Sequence, residues 1–280
     1  MRRFAIGAVV IASACGGTSA GKTIGSTGGT ARGPVLVFLG LGPTMMFEAA
    51  CYEPPGSAAC AELRAAALDG TKQIVTPAAT FRITGPASDG CDASGATEVV
   101  GLERVAGDDE ASPGVVTYPA DAPIGLETYR FNSTSDAATR GQAVTPTVRA
   151  ALAALATTDT VSRDDARAIT AAEIVVEQVV TANVDGDARP DTIIAANVPV
   201  ADGIGYRWSA LVVVLGGEFD AARSVWTSDL EHLIIDASFD LDGDGRRELV
   251  YTAEYYEGSG HGVATVDGKL TIKGGWGCGA

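Results

Sequence analysis

The chain has 280 residues, 46% hydrophobic and 20% charged, which is enough apolar material for a folded core in one large or two modest domains. That balance excludes a mainly disordered chain. A formal net charge of −15 argues against nucleic acid as a partner, because it is recognised through basic patches, and suits a protein that handles cations.

The N-terminus reads as an export signal. Arg2 and Arg3 precede an apolar run from Phe4 to Ala14. A membrane-spanning helix needs about 20 apolar residues, so this run fits the core of a signal peptide instead. The small residues Ala12-Ser13-Ala14 lead into Cys15. This arrangement resembles the lipobox of bacterial lipoproteins. The resemblance implies removal of residues 1–14, lipidation of Cys15 and anchoring to a membrane, and Gly16 resembles the signal for sorting to the outer one. Ordinary signal-peptidase cleavage near Ala14 is the alternative. Residues 15–33 are dominated by Gly, Thr, Ser and Ala, the composition of a flexible tether. Gly16 to Thr23 matches the phosphate-loop pattern, but no strand precedes it and Ile24 to Gly29 cannot form the helix that should follow. No nucleotide is expected.

Five cysteines are present. With Cys15 lipidated, Cys51, Cys60, Cys91 and Cys278 remain, and three connectivities are open. The preferred pairing is Cys51–Cys60, around Pro54-Pro55-Gly56, and Cys91–Cys278. Zinc is not expected, since there is no C-x-x-C and there are only two histidines.

Residues 34–145 read as a β-rich region. Val35 to Phe38 is an apolar run. Ser57 is placed to cap a helix from Cys60 to Leu68 that ends at Gly70. Strand-like stretches follow at Phe81–Thr84, Glu98–Val105, Val115–Tyr118 and Leu126–Phe131, separated by turns such as Gly107-Asp108-Asp109-Glu110. Residues 146–171 form a helical connector. Thr145 caps it, Pro146 takes its first position, and Val148, Ala151, Leu152 and Leu155 fall at helical spacing. Ser162 and Asp165 have capping-box spacing.

From residue 172 to 280 the pattern repeats. Ile174 to Val180 enters an acidic loop, Asn183 to Asp191, that leaves through Thr192 to Ala196. The plan recurs 57 residues later: Leu233-Ile234-Ile235 leads to Asp240 to Glu248, with Leu249 to Ala253 as the exit. Each copy continues into a second hairpin, turning at Gly216-Gly217 and at Asp267-Gly268. Each unit thus has about four strands in 50 to 60 residues, a period seen in propeller blades and stacked sheets.

Calcium takes roughly six to eight oxygens at about 2.3–2.6 Å from a flexible loop. Asp240, Asp242 and Asp244 stand at alternate positions, the Arg246 carbonyl adds an oxygen, and Glu248 closes the set. Carboxylates this close repel one another unless a cation neutralises them. An EF-hand is disfavoured, because Tyr251 occupies its twelfth position. The loop resembles the calcium loop of integrin-α-type FG-GAP and VCBS repeats. That resemblance implies that Asp240, Asp242, Asp244 and Glu248 are Ca2+ ligands between two strands of a blade-like unit. In the first copy Asn183 replaces the leading acid and Ala188 a glycine, while Asp185, Asp187, the Arg189 carbonyl and Asp191 remain, which predicts weaker binding. A solvated Asp-Gly turn without an ion is the alternative for both loops.

His232 borders an apolar run, where packing is the default, and no catalytic residue is assigned. His261 falls in a glycine-rich stretch read as a loop, with Glu254 or Glu257 able to orient it. The expected fold is mainly β with a few helices (α+β). It has two four-stranded antiparallel units in the C-terminal half, not a closed propeller, and a smaller β-rich N-terminal region. The expected function is that of an exported, lipid-anchored calcium-binding protein acting as a binding, adhesion or scaffold module for a protein or glycan. An extracellular hydrolase using calcium structurally and a purely structural envelope lipoprotein are the alternatives.

Overall fold

The computed structural model describes residues 33–54, 56–69, 73–87, 99–120, 122–129, 145–159, 169–187, 189–201, 205–218, 222–266 and 275–279. The signal and tether segments with Cys15, the phosphate-loop-like stretch, Cys91, the Ser162–Asp165 pair, Ala188 and the Asp267-Gly268 turn lie outside them.

The chain is mainly β, and among the described residues every strand pairing is antiparallel. The first six strands, from Val35 to Tyr118, form the N-terminal sheet. Its strands are β1 (Val35–Gly40), β2 (Met45–Tyr52), β3 (Gln73–Val75), β4 (Ala79–Pro86), β5 (Val99–Gly107) and β6 (Val115–Tyr118), in the order β3-β4-β5-β2-β1-β6. In β4 the expected alternation is plain: Phe81 and Ile83 are buried, while Arg82 and Thr84 face out.

Helix α1 (Ala59–Ala67) follows β2. Ser57 does not cap it; Ala58 holds the cap position, and the Cys60 N–H donates to Glu53 Oε1 at 2.8 Å instead. A carboxylate from the preceding segment supplies the acceptor that a capping side chain would have provided. The Cys51–Cys60 disulfide ties this helix to β2, with a Cα–Cα distance of 6.1 Å. Helix α2 (Pro146–Asp159) begins as expected, with the Val148 N–H donating to Thr145 Oγ1 at 3.3 Å. Neither helix is long and apolar enough to cross a membrane.

The C-terminal half holds two successive meanders. The outer sheet is β8 (Val175–Ala182), β9 (Asp191–Pro199), β10 (Tyr206–Val214) and β11 (Arg223–Ser228). The middle sheet is β12 (His232–Phe239), β13 (Glu248–Tyr255), β14 (Gly258–Thr265) and β15 (Gly275–Gly279), with β7 (Glu127–Thr128) added at the β12 edge. His261 therefore lies in a strand and not in a loop.

The layers stack in the order α1, N-terminal sheet, middle sheet, outer sheet, α2. Leu36, Phe38, Met46 and Phe81 pack beneath α1. Val37, Leu39 and Phe47 meet Phe239, Val250 and Val263 between the first two sheets. Ile193, Leu211 and Val213 meet Leu233, Ile235 and Leu249 between the next two. Val148, Leu152 and Ala156 of α2 cover Ile194, Trp208 and Val212. Both faces of β9 and β10 are thus buried, which explains their unbroken apolar runs. At the seam between the outer and middle sheets, Gln178 is 3% exposed. Its amide donates to the Ile235 carbonyl at 2.9 Å, and its oxygen accepts the Ile235 N–H at 2.8 Å.

Candidate metal centre

The two acidic loops connect β8 to β9 and β12 to β13, at the same end of neighbouring sheets. Each has an apolar residue at its second position, and both residues are buried: Val184 between the middle and outer sheets, Leu241 between the middle and N-terminal sheets. These side chains anchor loops that are otherwise polar.

Four hydrogen bonds recur in the two loops. Gly186 N–H donates to Asn183 Oδ1 at 3.0 Å, as Gly243 N–H does to Asp240 Oδ1 at 2.7 Å. Asp187 N–H donates to Asp185 Oδ1 at 2.9 Å, as Asp244 N–H does to Asp242 Oδ1 at 3.0 Å. Arg189 N–H donates to Asp187 Oδ1 at 2.5 Å, and Arg246 N–H to Asp244 Oδ1 at 2.7 Å. Finally, Val184 N–H donates to Asp191 Oδ2 at 2.8 Å, and Leu241 N–H to Glu248 Oε2 at 2.8 Å. Side-chain oxygens that accept from the backbone two or three residues on curl each loop and turn its acids toward one side.

The loops differ in what balances their charge. Asp240, Asp242 and Asp244 each offer an oxygen within 4.8 Å of the others, and they form the only cluster of this kind among the described residues. Glu248 is buried behind them. Burial first, then the neighbouring Asp242 and Asp240 carboxylates, push Glu248 up to about 8, against the opposing pull of the Leu241 N–H. Burial and the Asp244 and Asp240 charges also raise Asp242. The site therefore resists holding all its carboxylates ionised at once.

In the first loop the charges are met from within. Arg189 Nε bonds Asp187 Oδ2 at 2.8 Å and holds that carboxyl below its ordinary value. The Asn183 amide donates to the Asp187 carbonyl. Asp191 is fully buried and accepts N–H groups from Val184, Asp185 and, at 2.8 Å, Gly216. Asn183, Asp185, Asp187 and Asp191 are thus braced by the chain itself, and no carboxylate group of metal-binding closeness forms here among the described residues.

The two loops touch, a contact that no sequence pattern marks. A Cβ on Gly186, whose φ is +79°, would stand 2.5 Å from the Gly245 carbonyl oxygen. Arg247 N–H donates to the Val184 carbonyl at 2.9 Å. The Arg247 side chain reaches the other way, to Glu127 Oε1 at 2.9 Å and Ser238 Oγ at 3.1 Å, and Asp240 N–H donates to the Ile124 carbonyl at 2.8 Å. The second loop is therefore held by the first loop on one side and by residues 124–127 on the other. Arginine beside the acids and an apolar residue within each loop were the available signals.

The histidines lie on the middle sheet. His261 Nδ1 is 2.9 Å from Thr252 Oγ1, which donates to Asp236 Oδ2 at 2.7 Å. Its Nδ1 partner is thus Thr252 and not Glu254 or Glu257. Tyr251 is buried against Trp226, with ring centroids 5.3 Å apart, whereas Tyr256 is exposed. Cys278 stands on β15, opposite Ser259. Comparison with known proteins returns no match for this chain: no family model, no curated protein and no solved structure.

Proposed function

We propose that β8–β11 and β12–β15 are two copies of one calcium-loop unit of the FG-GAP/VCBS kind, and that the second copy binds Ca2+. Asp240, Asp242, Asp244 and Glu248 would hold the ion, with the Arg246 carbonyl completing the set. The observation that carries this reading is the convergence of three aspartates on one point, backed by a buried glutamate. The donor set is all oxygen, which suits a hard divalent cation. The first copy has the same turn, but its Arg189 bonds Asp187 at 2.8 Å where Arg246 stands 4.0 Å from Asp244, so one tight site per chain is expected rather than two.

The ion would stiffen the loop rather than perform chemistry. On this reading the protein is exported, lipid-anchored through Cys15 and acts as a binding, adhesion or scaffold module toward a protein or glycan. The Cys51–Cys60 disulfide supports export, because such bonds persist in oxidising compartments.

Thermal melting of the full chain tests the ion. Calcium at about a hundred times its dissociation constant contributes roughly 2.7 kcal/mol to the folded state, a rise in Tm of about 5–10 °C for a chain of this size. Asp242→Asn is expected to remove that rise. Without calcium the same variant should melt at the wild-type temperature or above, since it relieves repulsion among the acids. A calcium response equal in wild type and variant would overturn the assignment.

A further inference from the structure

At the opposite end of the same sheets, His232 opens β12 between two carboxylates from different layers. Its Nε2 lies 3.8 Å from Glu177 Oε2, on β8 of the outer sheet. Its Nδ1 lies 3.5 Å from Glu254 Oε2, on β13 of the middle sheet and in register with it. The His232 and Glu177 side chains are only about one-fifth exposed, at 20% and 22%. Glu177 is held in place, because its Oε1 accepts from the buried Asn197 amide at 3.2 Å. Tyr206 of β10 is close enough to feel both carboxylates, and Asp236 of β12 and His261 of β14 feel Glu254.

We propose that His232 is a pH-responsive latch, joining the outer and middle sheets when its imidazolium bridges Glu177 and Glu254. A neutral imidazole carries one N–H and donates to one partner; the other nitrogen then faces a carboxylate without a proton between them. An imidazolium carries two N–H groups and donates to both sheets. Protonation therefore lets His232 serve the outer-sheet Glu177 and its own sheet's Glu254 together, and places a cation between the two carboxylates.

The electrostatics run the same way. Glu177 chiefly, and Glu254 after it, raise His232 above its ordinary value against the opposing effect of burial. A group raised on folding adds stability that is complete below its unfolded value of about 6.5 and is lost as pH rises through the folded value. Asp236, pushed up to about 6 by burial, also favours the folded chain as pH falls. The latch must therefore be read from the difference between variants and not from the wild-type profile alone.

Thermal melts of the full chain as wild type, His232→Gln, Glu177→Gln and the double variant, from pH 5.5 to 8.5, make that comparison. The wild type is expected to melt about 3 °C above His232→Gln at pH 5.5, with the gap closed at pH 8.5. In the Glu177→Gln background the same change should cost much less. Imidazole titration by NMR in the wild type and Glu177→Gln decides the matter even if His232→Gln does not fold, since the chain has only two histidines. One histidine should titrate above about 6.5 and move down in Glu177→Gln. A melting gap that does not change with pH, or a His232 titrating at or below about 6.5, would overturn the latch.

Discussion

Gly186→Ala is expected to weaken the proposed calcium binding at the Asp240–Glu248 loop about tenfold, although Gly186 is not one of its proposed ligands. The cause is contact. The new Cβ would stand 2.5 Å from the Gly245 carbonyl oxygen, so Gly245 must move, and it sits between Asp244 and Arg246. A calcium site depends on the placement of its oxygens, and a displaced loop offers them at the wrong separations. The substitution also strains the backbone, because Gly186 has a φ of +79°. Gly42→Ala separates the two effects. Gly42 has a φ of +73°, but a Cβ there meets nothing within 4 Å. It should lower stability by a similar amount and leave calcium affinity unchanged. If both variants bind calcium like the wild type, the first loop does not position the second.

Gln178→Leu is expected to destabilise the fold by about 3 kcal/mol, since it removes both side-chain partners of a buried backbone unit. Gln178 donates to the Ile235 carbonyl and accepts its N–H, across the seam between two sheets. On the other side of β12 from β13, strand β7 pairs only with Ala237 and Ser238, so at Ile235 the Gln178 side chain stands in for a strand partner. Leucine matches its size without either polar group. Denaturant unfolding measures the loss, and a change below roughly 1 kcal/mol would mean that the seam holds without this bond.

Much of the C-terminal half was legible in the sequence. β-Branched runs marked β8, β9, β12 and β13, and the aspartate spacing marked the loops between them. Other elements were hidden for physical reasons. Strand β2 carries Ala49, Ala50 and a charged Glu48, a poor strand pattern; Glu48 is tolerated because both its oxygens bond Arg64 of α1 at 2.5 Å. The Gly258–Gly262 stretch has loop composition yet forms β14. At Gly262 a Cβ would lie 2.6 Å from the Tyr251 hydroxyl, so this position keeps no side chain where the neighbouring strand's ring lies. Local patterns carry no information about such cross-strand volume, and none about the touching of Gly186 and Gly245.

On the proposed reading the Asp240–Glu248 loop is a calcium site and its companion is a braced copy. Calorimetric titration of calcium into the full chain, beside Asp242→Ala and Asp185→Ala, tests it most directly. The expected result is one tight site in the wild type, lost in Asp242→Ala and kept in Asp185→Ala. No binding by the wild type at millimolar calcium, or a tight site that survives Asp242→Ala, would contradict it and leave both loops as plain acidic turns.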